Sequence, residues 1–241
     1  MRDFIQHRHD ISEKGFTLID NVYTNTEIGK IAGKIDGVDQ SNLTFRKSSD
    51  LFAIRQFLKE IPEIKQLVFT DKLISIISDS FGNDYFVVKS IYFDKPEESN
   101  WFVAYHQDLT ISVDKKVDIP GYYSWTNKHN QFAVQPPVKI LENNFTIRIH
   151  LDDTDENNGA LKVIPRSHMN GIQRLEEIDI TNQTERFCNI SSGGVMIMRP
   201  LLFHASNRTT NNKRRRVIHI EFSNAKLPNE INWSEALDFQ I

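Results

Sequence analysis

The sequence lacks the features that mark disulfide-rich, membrane-spanning and secreted proteins. Cys188 is the only cysteine among 241 residues, which excludes an internal disulfide framework and favours a reducing compartment. The longest unbroken apolar run covers only residues 101–105, whereas a membrane span needs about 20 apolar residues. Residues 1–20 are charged and have no apolar core, so we expect no secretory signal. The cytoplasm is the expected location.

The chain also lacks a strong charge of either sign. Its net charge is −3 at pH 7 and its isoelectric point is near 6.2. Nucleic acids and anionic membranes attract strongly basic surfaces, so we expect neither as a partner. The oligomeric state is left open. A hydrophobic fraction of 39% is enough for a buried core, and 241 residues suit one large β domain.

Helical patterns occupy the first third of the chain. Thr24 and Glu27 have the spacing of a capping box, and apolar residues follow at helical intervals. A second helix is predicted over residues 50–60, ending before Pro62. A third is predicted over Asp71–Phe81, with Gly82 as its C-terminal stop. We expect these helices to cover one face of a sheet.

Strand patterns follow, with an Asn157-Asn158-Gly159 hairpin turn between two of them. The order predicts a single mainly β domain, with a jelly-roll core backed by N-terminal helices. Residues 1–83 would give helical support, 84–222 the core and 223–241 a tail, with an irregular lid over 110–144. The predicted strands cover residues 85–93, 101–106, 145–151, 161–164, 194–198, 201–205 and 215–222.

Two His-x-Asp pairs lie on predicted strands, where alternate side chains share a face. His106 and Asp108 follow an aromatic-rich strand and precede the long irregular segment. His150 and Asp152 run instead into a solvated acidic turn, so we prefer the first pair. His204, from a distant strand, would complete a 2-His-1-carboxylate triad. Such a triad holds Fe(II) on one face and leaves the other positions open.

Arg215 lies eleven residues after His204 and can pair with a carboxylate through two parallel hydrogen bonds. Ser206, on the same side of its strand as His204, could add a hydrogen bond. Lys89 is a weaker candidate for the same ligand, because a surface lysine explains it equally well. The run Arg214-Arg215-Arg216 could also be a basic patch, although its alternation with apolar residues argues against this.

Two strands alternate between apolar and polar residues. Residues 145–152 place Thr146, Arg148 and His150 on one face, and residues 215–222 place Arg215 and His219 on one face. In an isolated strand such a face usually meets solvent. If the sheet curls around a cavity, these residues line it instead. His150 would then contact the substrate and Arg148 would lie near the cosubstrate.

Several segments in this order resemble the phytanoyl-CoA dioxygenase family, over roughly residues 84–222. They are HQDL at 106–109, FTIRIHLDDTDENNGALKVIPRSHMNG at 145–171, HAS at 204–206 and RRR at 214–216. The resemblance implies a double-stranded β-helix and an enzyme that uses Fe(II), 2-oxoglutarate and O₂ to hydroxylate a small molecule, releasing succinate and CO₂. One departure is Arg166, where the family usually has glycine, so this turn could face a different substrate.

The resemblance also implies roles for individual residues. His106, Asp108 and His204 would be the iron ligands and the catalytic centre, and Arg215 the 2-oxoglutarate clamp. The intact Asp108 favours hydroxylation, because related halogenases have a small residue at that position. Ser206, Lys89 and Arg148 are further candidates for cofactor binding.

Substrate recognition is assigned to the variable segments. Tyr123 and Trp125 in the predicted lid are expected to pack over a bound molecule, although packing on the domain's own surface is equally plausible. Residues 173–190 would form another wall, with His150 as a substrate contact. Substrate identity stays open, since no CoA-binding signature is evident.

Two other classes of protein remain open. One is a cupin-like metal enzyme that works without 2-oxoglutarate, against which Arg215 and Ser206 argue. The other is a catalytically silent small-molecule-binding module on the same fold, against which the intact His106, Asp108 and His204 argue.

Overall fold

The computed structural model describes residues 2–39, 45–47, 52–97, 101–128, 131–174, 176, 178–179 and 182–239. Within these residues the helices are α1 (Arg2–Lys14), α2 (Asn25–Asp36), α3 (Phe57–Glu60), α4 (Lys65–Val68), α5 (Asp71–Phe81) and α6 (Val138–Asn143). The strands are β1 (Phe16–Ile19), β2 (Phe45–Lys47), β3 (Phe52–Arg55), β4 (Phe86–Lys95), β5 (Val103–His106), β6 (Ile111–Val113), β7 (Tyr123–Lys128), β8 (Gln131–Gln135), β9 (Phe145–His150), β10 (Leu161–Val163), β11 (Arg186–Phe187), β12 (Val195–Met198), β13 (His204–Ser206) and β14 (Arg215–Ser223).

The strands form three antiparallel sheets within the described residues. The seven-stranded sheet has the order β1-β12-β9-β14-β4-β3-β2, the four-stranded sheet β11-β10-β13-β5, and the three-stranded sheet β6-β8-β7. From β9 to β14 the chain passes back and forth between the two larger sheets, as a jelly roll requires. The predicted fold class, a mainly β jelly roll backed by helices, is confirmed.

The alternation along β9 and β14 decides which face of the large sheet meets the helices. Ile147, Ile149, Ile218 and Ile220 join one apolar cluster with helical residues such as Leu73. The opposite face must therefore turn toward the inside of the jelly roll, because successive strand side chains alternate. Its polar side chains are buried, so this face lies in the interior and the solvent-facing interpretation is wrong.

Two of the three helix predictions are confirmed. Thr24 caps α2 and forms a capping box with Glu27, and α5 spans Asp71–Phe81 and ends at Gly82. The helix over residues 50–60 is wrong: residues 52–55 form β3 and only 57–60 are helical, while residues 50 and 51 lie outside the described part. Pairing of β3 with β4 buries Ala53 and Ile54, and that tertiary contact outweighs local helical preference.

Residues 1–83, the predicted helical support, contain elements that the sequence patterns did not indicate. Residues 1–83 contain α1 and also three strands, β1 to β3, that belong to the large sheet. The seven predicted strands all occur with shifted ends, the largest shift being at β13, which starts at His204. The hairpin prediction is wrong, because Asn157-Asn158-Gly159 links β9 and β10, which lie in different sheets.

The predicted irregular lid is an ordered sheet. Residues 110–144 contain β6, β7, β8 and α6, and their apolar side chains form a separate cluster with Ile231, Leu227 and Trp233 of the C-terminal region. Val113 and Trp233 also form a β-bridge. Strands of three to six residues are too short to show a clear period, and the C-terminal residues that cover them are distant in sequence. The expectation of an irregular segment is therefore wrong, and the role of residues 110–144 as a lid stays a prediction.

No helix within the described residues combines the length and apolar character needed to cross a membrane.

Arg166 offers a test of backbone strain at the position where the resemblance leads us to expect glycine. Its φ is +71°, a left-handed conformation that costs an ordinary residue about 1 kcal/mol. Its guanidinium lies 3.3 Å from Glu13, and such an exposed pair contributes roughly 0.2–1 kcal/mol. We predict that Arg166→Gly is neutral or stabilising by up to about 1 kcal/mol in denaturant unfolding.

A matched variant, Glu13→Gln, removes the ion pair and keeps the strained backbone, so it should be neutral or slightly destabilising. A large loss of stability in Arg166→Gly would contradict the strain argument.

Candidate metal centre and cosubstrate pocket

The pairing of β5 with β13 sets the geometry of the candidate site. His106 and His204 are directly opposite each other in the ladder, and their ring centroids are 4.2 Å apart. Asp108 follows β5 and is held by a hydrogen bond from its backbone N–H to the carbonyl of Pro200, at 2.9 Å. The carboxylate lies 3.8 Å from His106 Nε2 and 3.7 Å from His204 Nε2. One ligand atom from each residue thus lies within 4.8 Å of the others.

Both imidazoles are oriented by the backbone. His106 Nδ1 lies 2.9 Å from the carbonyl of Ala104, and His204 Nδ1 lies 2.8 Å from the carbonyl of Leu202. A carbonyl oxygen can only accept, so each Nδ1 carries the proton and each Nε2 offers a lone pair. Oδ2 of Asp108 is buried without a hydrogen-bond partner. Two free Nε2 atoms and an unpartnered carboxylate oxygen fit a metal ion.

Electrostatics keep His204 and Asp108 in their ligand forms at neutral pH. Burial lowers the pKa of His204 to about 4, against the opposing effect of Asp108. Burial alone would raise the pKa of Asp108, but His204, His219 and Lys89 hold it at about 2. The site therefore presents a neutral imidazole beside an ionised carboxylate, as metal binding requires.

The alternative His-x-Asp pair, His150 and Asp152, makes other interactions. Asp152 accepts hydrogen bonds from the Arg216 guanidinium at 2.7 and 2.9 Å. His150 Nδ1 lies 2.9 Å from the hydroxyl of Thr154. Within the described residues, His106, Asp108 and His204 are the group of three that could hold a metal. Their assignment as iron ligands stays a prediction.

Gln107, the middle residue of the motif, has a structural role that the sequence argument missed. Its buried amide donates to the carbonyls of Gly171 and Leu201 at 2.8 and 2.7 Å, and its carbonyl accepts from the N–H of Gln173 at 3.0 Å. The Gln107 side chain thus connects the metal motif to residues 171–173 and to Leu201. In the sequence, the signal for this role was a glutamine between two candidate metal ligands.

Arg215 lies inside the jelly roll, 7% exposed, and its Nε and one terminal nitrogen have no hydrogen-bond partner. Burial, aided by Arg148, lowers the pKa of Arg215 to about 9. Its two neighbours are different: Arg214 binds Asp94 at 2.8 Å and Arg216 binds Asp152. The basic-patch hypothesis is wrong, because the three arginines have three separate environments.

A hydrogen-bonded chain crosses the same inner face. Arg148 donates to His219 Nδ1 at 3.1 Å, so the proton of His219 is on Nε2 and is directed at Glu221, also at 3.1 Å. Glu221 in turn accepts from Lys89 at 2.7 Å. Lys89 lies on the inner face of the sheet and its charge is paired with Glu221, so it is neither a surface lysine nor a free clamp. His219 and Glu221 were visible in the strand alternation but had not been assigned.

Ser206 and Lys95 lie near Arg215, which is opposite Lys95 in the strand ladder. The Ser206 hydroxyl donates to the carbonyl of Gly159 at 2.8 Å, so its proton is already used. Lys95 donates to the carbonyl of Asn207 at 2.8 Å, and burial with the nearby Arg215 lowers its pKa to about 8. A Cβ on Gly159 would meet Lys95 Nζ at 2.6 Å, and the φ of Gly159 is +84°. The Cβ would also lie 2.8 Å from the backbone oxygen of Asn207, so glycine is strongly favoured at this position.

The residues predicted to contact the substrate lie in different parts of the structure and differ in exposure. The side chain of Tyr123 is 63% exposed, and Trp125 packs against the apolar cluster of the small sheet. His150 is buried in the interior. A cavity of about 540 Å³ lies between residues 164–170 and Phe203, with Gln173, the partner of Gln107, in its wall. Substrate roles for Tyr123, Trp125, His150 and residues 173–190 stay predictions.

Comparison with known families gives a match to phytanoyl-CoA dioxygenase (PhyH) over residues 11–217. The match spans most of the chain, which therefore belongs to this family. Its cofactors, Fe(II) and 2-oxoglutarate, agree with those expected from the sequence. A comparison with curated proteins gives no significant match.

Solved structures share the fold at low sequence identity. The epimerase SnoN, in complex with Fe³⁺, alpha ketoglutarate and nogalamycin RO, has a TM-score of 0.70 at 9% identity, covering 98% of this chain and 94% of its own. HygX from Streptomyces hygroscopicus, with nickel and 2-oxoglutarate bound, has 0.65 at 14%, covering 90% and 86%. EvdO2 from Micromonospora carbonacea var. aurantiaca, complexed with 2-oxoglutarate, has 0.65 at 15%, covering 97% and 94%.

The metal assignment can be tested without turnover. We predict that His106→Ala, Asp108→Ala and His204→Ala each lose most bound Fe(II) or Ni(II) in metal analysis after dialysis, while circular dichroism shows a retained fold. The loss follows because each variant removes one of three protein ligands.

His150→Ala is the matched control, since it changes the rival His-x-Asp pair and should keep its metal. Loss of metal from this variant, with retention in His106→Ala, would reverse the assignment.

Proposed function

We propose that this protein is an Fe(II)- and 2-oxoglutarate-dependent dioxygenase that hydroxylates a small-molecule substrate. The proposal rests on two features that lie in the same interior of the jelly roll. Ligand atoms of His106, Asp108 and His204 lie within 4.8 Å of one another and one Asp108 oxygen has no hydrogen-bond partner, while the buried guanidinium of Arg215 has donors with no partner. A metal ion would satisfy the first feature and the far carboxylate of 2-oxoglutarate the second. Membership of the PhyH family supports both.

The protein's part in the reaction is to hold and orient. His106, Asp108 and His204 would bind the iron on one face, leaving positions for the 2-oxo acid group and O₂. When bound, the iron supplies the activation of O₂ that side chains cannot provide. The apolar residues of β1, β10 and β12 form a buried cluster that closes one part of the interior to water.

Arg215 is the proposed anchor for the cosubstrate. A guanidinium matches a carboxylate through paired hydrogen bonds, which are strongest where water is excluded. Its neighbour Lys95 adds positive charge at the same end of the pocket. Ser206 would need to turn its hydroxyl away from Gly159 to donate to the cosubstrate.

Hydroxylation is the reaction we favour among those open to this chemistry. 2-Oxoglutarate would lose CO₂ and become succinate, which takes one atom of O₂. The other oxygen atom would be inserted into a C–H bond of the substrate and form the new hydroxyl group. Asp108 would hold the iron through its carboxylate, and a halide-binding enzyme would need a smaller residue there. SnoN is described as an epimerase, so a change of reaction type on this fold is an outcome that product analysis must distinguish.

The two alternatives are less well supported. A metal enzyme that does not use 2-oxoglutarate has no need for a buried guanidinium with unpartnered donors. A catalytically silent module has no need for two imidazoles held in the metal-binding tautomer. The single cysteine, Cys188, fits a reducing, cytoplasmic context in which disulfides are rare.

The overall activity is tested by succinate release. Anaerobically purified protein given Fe(II), labelled 2-oxoglutarate and O₂ should form labelled succinate slowly, and faster when a metabolite library contains its substrate. His204→Ala should reduce the release to background. Equal release by wild type and His204→Ala would refute the proposed function.

The cosubstrate anchor is tested by comparing three adjacent arginines. Arg215→Gln should raise the 2-oxoglutarate requirement about ten- to a hundredfold, because a charge-assisted hydrogen bond contributes ~1.5–3 kcal/mol. Arg214→Ala and Arg216→Ala should matter much less, since these residues pair with Asp94 and Asp152. The measurement is the dependence of succinate formation on 2-oxoglutarate concentration.

Similar effects of all three substitutions would show that general positive charge, and not a specific anchor, binds the cosubstrate.

A further inference from the structure

The cavity of about 540 Å³ lies on the outer face of the four-stranded sheet. Ile164 and Phe203 form its floor, and the N–H of Ile164 donates to the carbonyl of Phe203 at 3.0 Å, next to the β10–β13 ladder. In that ladder Val163 is opposite His204, whose imidazole belongs to the metal group. Successive strand residues point to opposite faces, so Ile164 and Phe203 point away from the metal group. The cavity is therefore separate from the candidate metal centre.

The packing of neighbouring side chains agrees with this placement. Val163 and Leu202 belong to the buried apolar cluster that includes Met196 of the large sheet, so they lie between the two sheets. Ile164 and Phe203 directly follow them in the chain and are buried on the other side.

The segment that follows β10 is fixed by hydrogen bonds within the protein. The Ser167 hydroxyl donates to the carbonyl of Ile164 at 2.7 Å and accepts from the N–H of Phe203 at 2.9 Å. The N–H of Arg166 donates to the carbonyl of Lys14 at 2.9 Å. A preformed cavity reduces the entropy lost on binding, and this cavity falls within the range of about 300–1,000 Å³ that is usual for small-molecule sites.

The walls of the cavity are rich in amide side chains. Asn170, Gln173 and Gln183 all line it. An amide offers an acceptor oxygen and two N–H donors, and a hydroxyl group both donates and accepts. Neighbouring hydroxyl groups of a ligand therefore match these amides in either direction, while the apolar floor would contact its C–H groups.

The charged side chains of the cavity already have partners. Arg166 lies 3.3 Å from Glu13, and Asp179 accepts a hydrogen bond from the amide of Asn182. Arg166 and Asp179 also carry opposite charges, so the lining has no net charge. An ionic ligand would lose hydration without gaining an unpaired counter-charge, which favours an uncharged ligand.

One wall of the cavity is bonded directly to the metal motif. The backbone N–H of Gln173 donates to the Gln107 side chain at 3.0 Å, and the Gln107 amide donates to the carbonyls of Gly171 and Leu201. Gln107 lies between two of the candidate metal ligands in the sequence. A molecule that restrains Gln173 would therefore also restrain the chain that holds these ligands.

We propose that this cavity binds a small uncharged molecule with several hydroxyl groups, such as a sugar or a cyclic polyol. The bound molecule acts on the metal centre through Gln173 and Gln107, and strengthens metal binding. Binding in the cavity is independent of the proposed function, whereas the effect on the metal rests on it.

Ligand-observed NMR titration of the full-length protein tests the binding. Glucose, maltose and myo-inositol are the uncharged probes, and glucose 6-phosphate and glucosamine are the charged comparators. At least one uncharged probe should bind, and more tightly than either comparator. Asn170→Ala and Gln183→Ala should each weaken its binding about three- to tenfold, because each removes hydrogen bonds between neutral groups. Asn170→Trp places an indole in the cavity and should abolish binding.

Two controls locate the probe. Gln66→Ala truncates an exposed amide on α4, outside the cavity, and should bind the probe normally. His106→Ala removes a candidate metal ligand and should bind the probe as metal-free wild type does. Thermal unfolding is measured for every variant.

The effect on the metal is measured by titrating Ni(II) with and without a saturating concentration of the bound probe. Wild type should bind Ni(II) about fivefold or more tightly with the probe present, and Ni(II) should strengthen probe binding by the same factor, because coupling is reciprocal. Gln107→Leu removes the hydrogen bonds of this amide, so it should bind the probe but lose the coupling. Gln107→Glu keeps only the acceptor for Gln173, should couple more weakly than wild type, and serves if Gln107→Leu does not fold.

The outcomes separate the inference from the proposed function. Failure of all three uncharged probes to bind, or tighter binding of a charged comparator, would overturn the proposed ligand class. Probe binding that survives Asn170→Trp but is lost in His106→Ala would place the probe at the metal centre instead. Probe binding that leaves Ni(II) affinity unchanged would refute the coupling. Wild type that binds the probe but no Ni(II) would refute the proposed metal centre and leave the cavity site standing.

Discussion

The candidate site depends on the hydrogen-bonded pairing of two short strands, β5 and β13. This pairing places His106 and His204 opposite each other although 97 intervening residues separate them in the sequence. A shift of one residue would turn one imidazole to the outer face. Gln107 and the carbonyl of Pro200 then fix the chain just after β5, so that Asp108 completes the group.

The two larger sheets have different roles. The four-stranded sheet provides the metal ligands, and the inner face of the seven-stranded sheet provides buried cations with a few acidic partners. Such cations are costly to bury unless something neutralises them. Glu221 does so for Lys89, whereas Arg148 and Arg215 keep unpartnered nitrogen atoms. The apolar contacts between the helices and the outer face of this sheet stabilise the sheet. Their free energy offsets part of the cost of burying the cations.

Local signals predicted the parts of the structure that local contacts determine. The Thr24 capping box and the stop at Gly82 were readable because a cap needs only residues within one helical turn. The inward polar face of β14 followed from its alternation once the fold was known. The strand β3, the small sheet of residues 110–144 and the second cation Lys95 were missed, since each depends on partners far away in sequence. The motifs identified the metal group, but only the structure shows that Nε2 of both imidazoles is free.

The central claim is that one interior binds a metal through His106, Asp108 and His204 and an elongated dicarboxylate beside it. A crystal structure of the protein with Ni(II) and 2-oxoglutarate tests this most directly. The account predicts Nε2 of both histidines and one oxygen of Asp108 on the metal, with the far carboxylate on Arg215. A metal held by other side chains, or 2-oxoglutarate bound away from Arg215, would contradict it.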